Sequence, residues 1–232
     1  MRLDRYLTAS RMGSRSEVKN MIRKGSVSVN GITVKDPSVN IKTDDDVTAN
    51  GRKVLYREHV YYMLNKPAGY LSATEDNADR TVLDLFPAGL RKGLFPVGRL
   101  DKDSVGLLII TDDGAMAHKL MSPKNHIAKS YLIHTDIPLS KEDSCAFSEG
   151  IVLSDGTKYR SAALEISADD PTRAIVTITE GKYHQVKRMT ERCGKKVLYL
   201  KRLSVGELKL DPDLQEGMFR ELTSDEIEML SK

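Results

Sequence analysis

Tryptophan is absent from this 232-residue chain, and cysteine occurs only twice, as Cys145 and Cys193, far apart and without CxxC spacing. We read both as packed or incidental thiols, since neither a disulfide framework nor a thiolate metal cluster can be assembled from them. The five histidines, His59, His118, His126, His134 and His184, fall into no HxxxH or HExxH group, so no metal site is expected. Neither GxGxxG nor GxxxxGK[ST] is present, which removes dinucleotide and P-loop chemistry and with it a nucleotide cofactor. No apolar run approaches the roughly 20 residues that cross a bilayer. The N-terminus, with Arg2, Asp4 and Arg5 inside six residues, lacks the apolar centre of a secretory signal. The expected location is the cytoplasm, with no membrane partner.

The chain does have charge of one sign at one end. Residues 1–57 hold twelve Lys or Arg against six Asp or Glu, net +6, whereas residues 58–232 are net −3, within an overall +3. Such asymmetry is the footprint of one module that holds a polyanion and another that does local chemistry. At 40% hydrophobic content the chain can build a catalytic domain plus a small accessory module.

Leu3, Tyr6 and Leu7 lie at helical spacing, with Arg2, Arg5 and Arg11 off that stripe. Ser14 and Glu17 form a capping-box pattern that opens a second helix through Val18, Met21 and Ile22, ended by Gly25. Val27 to Val34 alternates around Asn30-Gly31, a hairpin signal because both turn residues take positive φ. Asn50-Gly51 suggests a second turn between strands. Seven basic residues crowd the stretch from Arg2 to Lys24, favouring phosphate contacts. A composition shift near Tyr56 to Val60 marks a boundary, giving domains of 1–57 and 58–232.

Beyond it, Tyr61 to Leu64 should be a buried strand stopped by Asn65-Lys66-Pro67-Ala68-Gly69. Leu107 to Ile110 reads as a strand buried on both faces. Helices are expected over Ala115 to Met121, after Ser140 with Asp143, and after Thr223 with Glu226. Lys129 to His134, Ala162 to Ile166, Arg173 to Ile178, Val197 to Leu200 and Leu203 to Leu210 read as strands. Strands without regular βαβ alternation imply an α+β fold with a largely antiparallel sheet flanked by helices.

Three segments invite chemistry. In Gly98-Arg99-Leu100-Asp101 a carboxylate follows an arginine in a loop feeding a core strand, although Asp101 could equally cap a turn beside a solvated Arg99. Asp101 and Asp103 share one tetrapeptide and should point away from each other, which disfavours a carboxylate-pair glycosidase. Gly181 to Met189 passes from strand to helix with Lys182, His184, Lys187 and Arg188 close together. By their residue types alone, Tyr131 could be a cross-strand core tyrosine and Lys187 an exposed helix lysine.

The order of these segments resembles the pseudouridine synthases that modify ribosomal RNA, in the branch named after small-subunit synthase A. The shared elements are LNKPxG at Leu64 to Gly69, GRLDxxSxGLL at Gly98 to Leu108, Lys129 with Tyr131, and EGKYHQVKRM at Glu180 to Met189. A fifth, LxRxxxGxxxLDxxLxxGxxRxLTxxE, runs from Leu200 to Glu226. Ahead of them, SRxxxxxxIxxGxVxVNGxxV from Ser14 to Val34 is similar to the alpha-L RNA-binding module of a small-subunit ribosomal protein and some tRNA synthetases. The resemblance implies isomerisation of one uridine of small-subunit ribosomal RNA, without a cofactor, on the RNA itself or a small-subunit assembly intermediate. It assigns Asp101 as the catalytic aspartate, Tyr131 as the tyrosine near the uracil and Lys187 as the basic partner of the aspartate. Arg99 and Leu200 would bind the nucleotide, and Arg2, Arg5, Arg15, Lys19, Arg23 and Lys24 would face RNA. Ser104 stands where threonine is commoner, and Lys187 where many synthases carry arginine. Residue chemistry alone leaves open a non-catalytic RNA-binding or ribosome-assembly factor. Monomer is the default for oligomeric state.

Overall fold

The computed structural model describes residues 1–42, 44–54, 56 and 58–231. The chain divides into two compact units, Met1–Val60 and Tyr61–Lys232. Position 57, where the composition shift ends the first domain, lies outside the described residues.

The first unit packs two helices, α1 (Leu3–Ala9) and α2 (Arg15–Arg23), on a four-stranded sheet. Leu3, Tyr6 and Leu7 of α1 and Val18 and Ile22 of α2 close on Val27 and Val47 to make its core. The Ser14 capping box is formed, with Glu17 N donating to Ser14 Oγ at 3.3 Å and Ser14 N to Glu17 Oε2 at 2.7 Å. Strands β1 (Val27–Val29) and β2 (Ile32–Thr33) join through Asn30 and Gly31, at φ 50° and 78°. Strands β3 (Val47–Ala49) and β4 (Arg52–Lys53) join through Asn50 and Gly51, at φ 51° and 74°. Both Asn-Gly pairs thus adopt the left-handed backbone that such tight turns require.

The second unit is built on a nine-stranded mixed sheet. Its strands are β5 (Tyr61–Lys66), β6 (Phe95–Val97), β7 (Val105–Thr111), β8 (Lys129–Thr135), β9 (Ala163–Ile166), β10 (Arg173–Ile178), β11 (Val197–Val205), β12 (Leu208–Lys209) and β13 (Phe219–Glu221). They run in the order β13-β5-β7-β11-β8-β10-β9, with β12 on β11 and β6 on β7. Every residue of β7 is buried. One side of β7 pairs antiparallel with β5. The other side is shared: β11 runs parallel to it at Val105 and Gly106, and β6 takes over at Ile109 to Thr111. The parallel crossing is tight enough that a Cβ on Gly106, at φ 100°, would collide with the Arg202 carbonyl. This position therefore demands glycine. The other pairings are antiparallel, so the fold is the α+β class that the strand pattern implies.

Helices α3 (Gly114–Met121), α4 (Lys141–Glu149), α5 (Gln185–Arg192) and α6 (Ser224–Ser231) complete the unit. Asp113 caps α3 by accepting from Ala115 N and Met116 N, and the Ser140–Asp143 and Thr223–Glu226 boxes open α4 and α6. Against the expectation of two strands broken at Lys201-Arg202, β11 is continuous. Arg202 does not interrupt it because the side chain is 1% exposed and Nε donates to the Leu107 carbonyl at 2.7 Å, while register irregularities absorb the mismatch with β8. Strands β6 and β13 went unforeseen. Pro96 within β6 is tolerated because that strand pairs with β7 alone. No helix among the described residues is long and apolar enough to cross a membrane.

The loop ahead of β7 is held from below by one side chain. Lys66, at the end of β5, is 0% exposed, and its Nζ lies 2.7–3.3 Å from the carbonyl oxygens of Pro67, Asp101, Lys102 and Ser104. Burial pushes its pKa down to about 8, while the ring of carbonyls favours the ammonium. Ser72 pins the approach, its Oγ donating to the Leu100 carbonyl at 2.9 Å and accepting from Leu100 N at 3.0 Å. Lys66→Met leaves buried carbonyls without a donor, and urea titration should show a loss of about 2–4 kcal/mol. A variant of unchanged stability would show that the clamp is dispensable.

Candidate active site

The clamped loop delivers Asp101 to the mouth of a cleft of ≈ 430 Å³, open to solvent, whose lining includes Arg99, Asp101, Ser104, Tyr131, His184 and Leu200. Its floor is the sheet. Tyr131 of β8 sits opposite Arg202 of β11, and Leu200 opposite Ile133, so residues two apart on each strand present their side chains to one face. Tyr131 is 7% and Leu200 8% exposed, an apolar base with a phenol in it. Ser104 Oγ is buried in this wall with no hydrogen-bond partner. Arg99 is exposed at the rim.

Helix α5 supplies the opposite wall. Its entry is fixed by a buried amide: Gln185 Nε2 donates to Glu180 Oε1 at 2.9 Å, Lys182 N donates to Gln185 Oε1 at 3.2 Å, and Arg160 N donates to Glu180 Oε1 at 2.9 Å. His184, at the N-cap, takes a left-handed φ of 47°, which is unusual for a residue with a Cβ. His184 and Lys187, three apart, both reach Asp101. His184 Nε2 is 3.3 Å from Asp101 Oδ1, and Lys187 Nζ is 3.2 Å from Asp101 Oδ2.

Lys187 also meets Asp103, more closely, at 2.7 and 2.9 Å. This corrects the expectation that Asp101 and Asp103 point apart: the turn between them brings both carboxylates onto one ammonium. Burial opposes the charge on Lys187, but the hydrogen bonds to Asp103 and Asp101 outweigh it and raise its pKa above the ordinary lysine value. The same hydrogen bond from Lys187 holds the Asp103 carboxyl below the usual range. The anion–cation–anion arrangement itself carries one net negative charge, and the pocket that holds Asp101 also holds the Tyr131 phenol and the cationic Arg99 and Lys182. Arg99, Asp101, Tyr131, Lys187 and Leu200 are thus gathered in one place. Sequence reasoning missed His184, Asp103 and Lys66 as parts of it. The i,i+3 spacing of His184 and Lys187 at a helix start was the available signal for the first.

In the first unit, Arg2, Arg5, Arg15 and Lys19 line one open groove with Asp4, Thr8 and Ala9. Arg2 is tied to Asp4 at 2.9 Å. Arg23 and Lys24, at the far end of α2, are exposed but do not line that groove.

Comparison with known proteins agrees with this geometry. Residues 60–192 match the RNA pseudouridylate synthase family, and residues 1–47 match the S4 domain. An uncharacterized RNA pseudouridine synthase of Bacillus subtilis (strain 168) is 46% identical over all of this chain and 99% of its own length. The ribosomal small subunit pseudouridine synthases A of Haemophilus influenzae and Escherichia coli (strain K12) are 38% and 36% identical, covering 100% and 98% of both chains in each pair. A pseudouridylate synthase crystal structure superposes with a TM-score of 0.71 at 38% identity, covering 99% of each chain. With a family match over more than half its length and these relatives spanning it end to end, the chain belongs to the RNA pseudouridylate synthases and carries an S4 domain in front.

Proposed function

We propose that this RNA pseudouridine synthase acts on one uridine of small-subunit ribosomal RNA, free or in an assembling particle in the cytoplasm, with Asp101 as its catalytic carboxylate. The observation that carries the reading is Asp101 at the cleft mouth, 3.2 Å from Lys187 and above a floor of Tyr131 and Leu200. The small-subunit assignment draws on the full-length relatives named for that substrate.

In the reaction the bond from ring N1 to the sugar C1′ breaks and a bond from C5 to C1′ forms. The C5 proton leaves and N1 takes up a proton, so there is no net change in composition. Asp101 acts as an anion, either adding to the ring or attacking the sugar carbon. Lys187 and His184 orient it. The target nucleotide must leave its stack, at a cost of a few kcal/mol that RNA binding offsets. Arg99, exposed at the rim, is placed to occupy the vacated space. Leu200 and the Tyr131 ring hold the displaced uracil, and the Tyr131 hydroxyl is placed to exchange a proton with it. Arg2, Arg5, Arg15 and Lys19 of the first unit hold phosphates, with Arg23 and Lys24 extending the basic face.

Because the C5 proton departs, tritium at that carbon reports turnover. Asp101→Asn should release none from labelled small-subunit ribosomal RNA while melting like the wild type; release at the wild-type rate by a folded variant would remove Asp101 from the chemistry. Neutralising Arg5, Arg15 and Lys19 together should weaken RNA binding and flatten the slope of log affinity against log salt by roughly 2 to 3. An unchanged slope would mean that this groove does not hold phosphates.

A further inference from the structure

Tyr183 is 74% exposed, a large ring left in solvent on the turn that enters α5. One of its faces is nevertheless occupied: it stacks on the His184 imidazole with centroids 3.8 Å apart and planes 17° from parallel. His184 lines the cleft and reaches Asp101, whereas Tyr183 does not line it. The two rings therefore form a stack that begins at the reacting carboxylate and ends, one ring further out, beyond the pocket.

The turn carrying this stack is rigid, because the buried Glu180–Gln185 pair ties it from beneath. It is also flanked by cations. Lys182 is half exposed and Arg99 stands on the rim of the same cleft. An exposed aromatic face on a fixed turn, with Lys182 next to it in the chain and Arg99 on the cleft rim, suits single-stranded RNA: every base has a π-face, and a flat side chain captures it with little regard to sequence. The flipped uracil already has the buried Tyr131 and Leu200. We infer that the Tyr183–His184 stack is the docking platform for the base adjacent to the target uridine, the base left without its neighbour when that uridine swings into the cleft. This rests on the synthase reading above.

Tritium release by the wild-type, full-length protein tests the synthase reading by itself, and RNAs labelled at single uridines locate the one that is modified. The platform is tested separately by RNA affinity and by the split between KM and kcat. Tyr183→Ala should raise Kd and KM for the RNA roughly 5- to 150-fold, the range that loss of one base–aromatic stack gives, with kcat at saturating RNA nearly unchanged. Tyr183→Phe, which keeps the ring, should restore the wild-type values. An RNA lacking the base on one side of the target should cost the wild type a similar factor and cost Tyr183→Ala nothing more. The inference is overturned if Tyr183→Ala binds like the wild type, if Tyr183→Phe is equally impaired, or if the missing base penalises both proteins alike.

Discussion

One ammonium, on Lys187, meets two carboxylates from a loop 84 residues earlier in the chain. Asp103 is largely exposed and Asp101 partly so, so solvent screening leaves these contacts little to contribute to stability. Their importance is positional. The lysine joins α5 to the loop ahead of β7 and, on the proposed reading, holds the Asp101 carboxylate toward the cleft that would take the nucleotide. Donating its nearer hydrogen bonds to Asp103 prevents Lys187 from neutralising Asp101 outright, leaving that carboxylate paired but available.

The sheet serves this contact. Strand β7 is central and wholly buried, so the loop ahead of it starts from a fixed point. Lys66 then grips the backbone of that loop from underneath, using carbonyls and leaving the Asp101 side chain free. The parallel crossing of β11 at Gly106 brings Arg202, and two residues before it Leu200, beside Tyr131. A backbone approach that only glycine allows thus sets where the floor of the cleft lies relative to its carboxylate.

Much of this was legible in the residues. Paired Asn-Gly turns, three capping boxes and the unbroken aliphatic run of β7 are local signals, and local physics suffices to read them. The family resemblance carried by the motif order also names Asp101, Tyr131, Lys187, Arg99 and Leu200, which the fold gathers around one cleft. What was hidden depended on distant partners. Lys201-Arg202 looked like a strand break because a charged pair is normally exposed, and only the Leu107 carbonyl across the sheet explains why Arg202 is buried. Asp103 is expected to point away from Asp101 in a loop or strand, but the turn at Lys102 and Asp103 sets both carboxylates on one ammonium supplied from far along the chain. Lys66 was a motif letter without a role until four carbonyls surrounded it.

The account stands most directly on the rate of the chemical step when the Lys187 charge is removed. In single-turnover measurements with enzyme in excess over RNA, Lys187→Met should slow isomerisation about 10²- to 10³-fold, the cost of losing one oriented charge at a reacting group. Its melting temperature should stay near that of the wild type, and Lys187→Arg should recover most of the rate. A Lys187→Met protein that isomerises uridine as fast as the wild type would contradict the claim that this ammonium orients the Asp101 carboxylate.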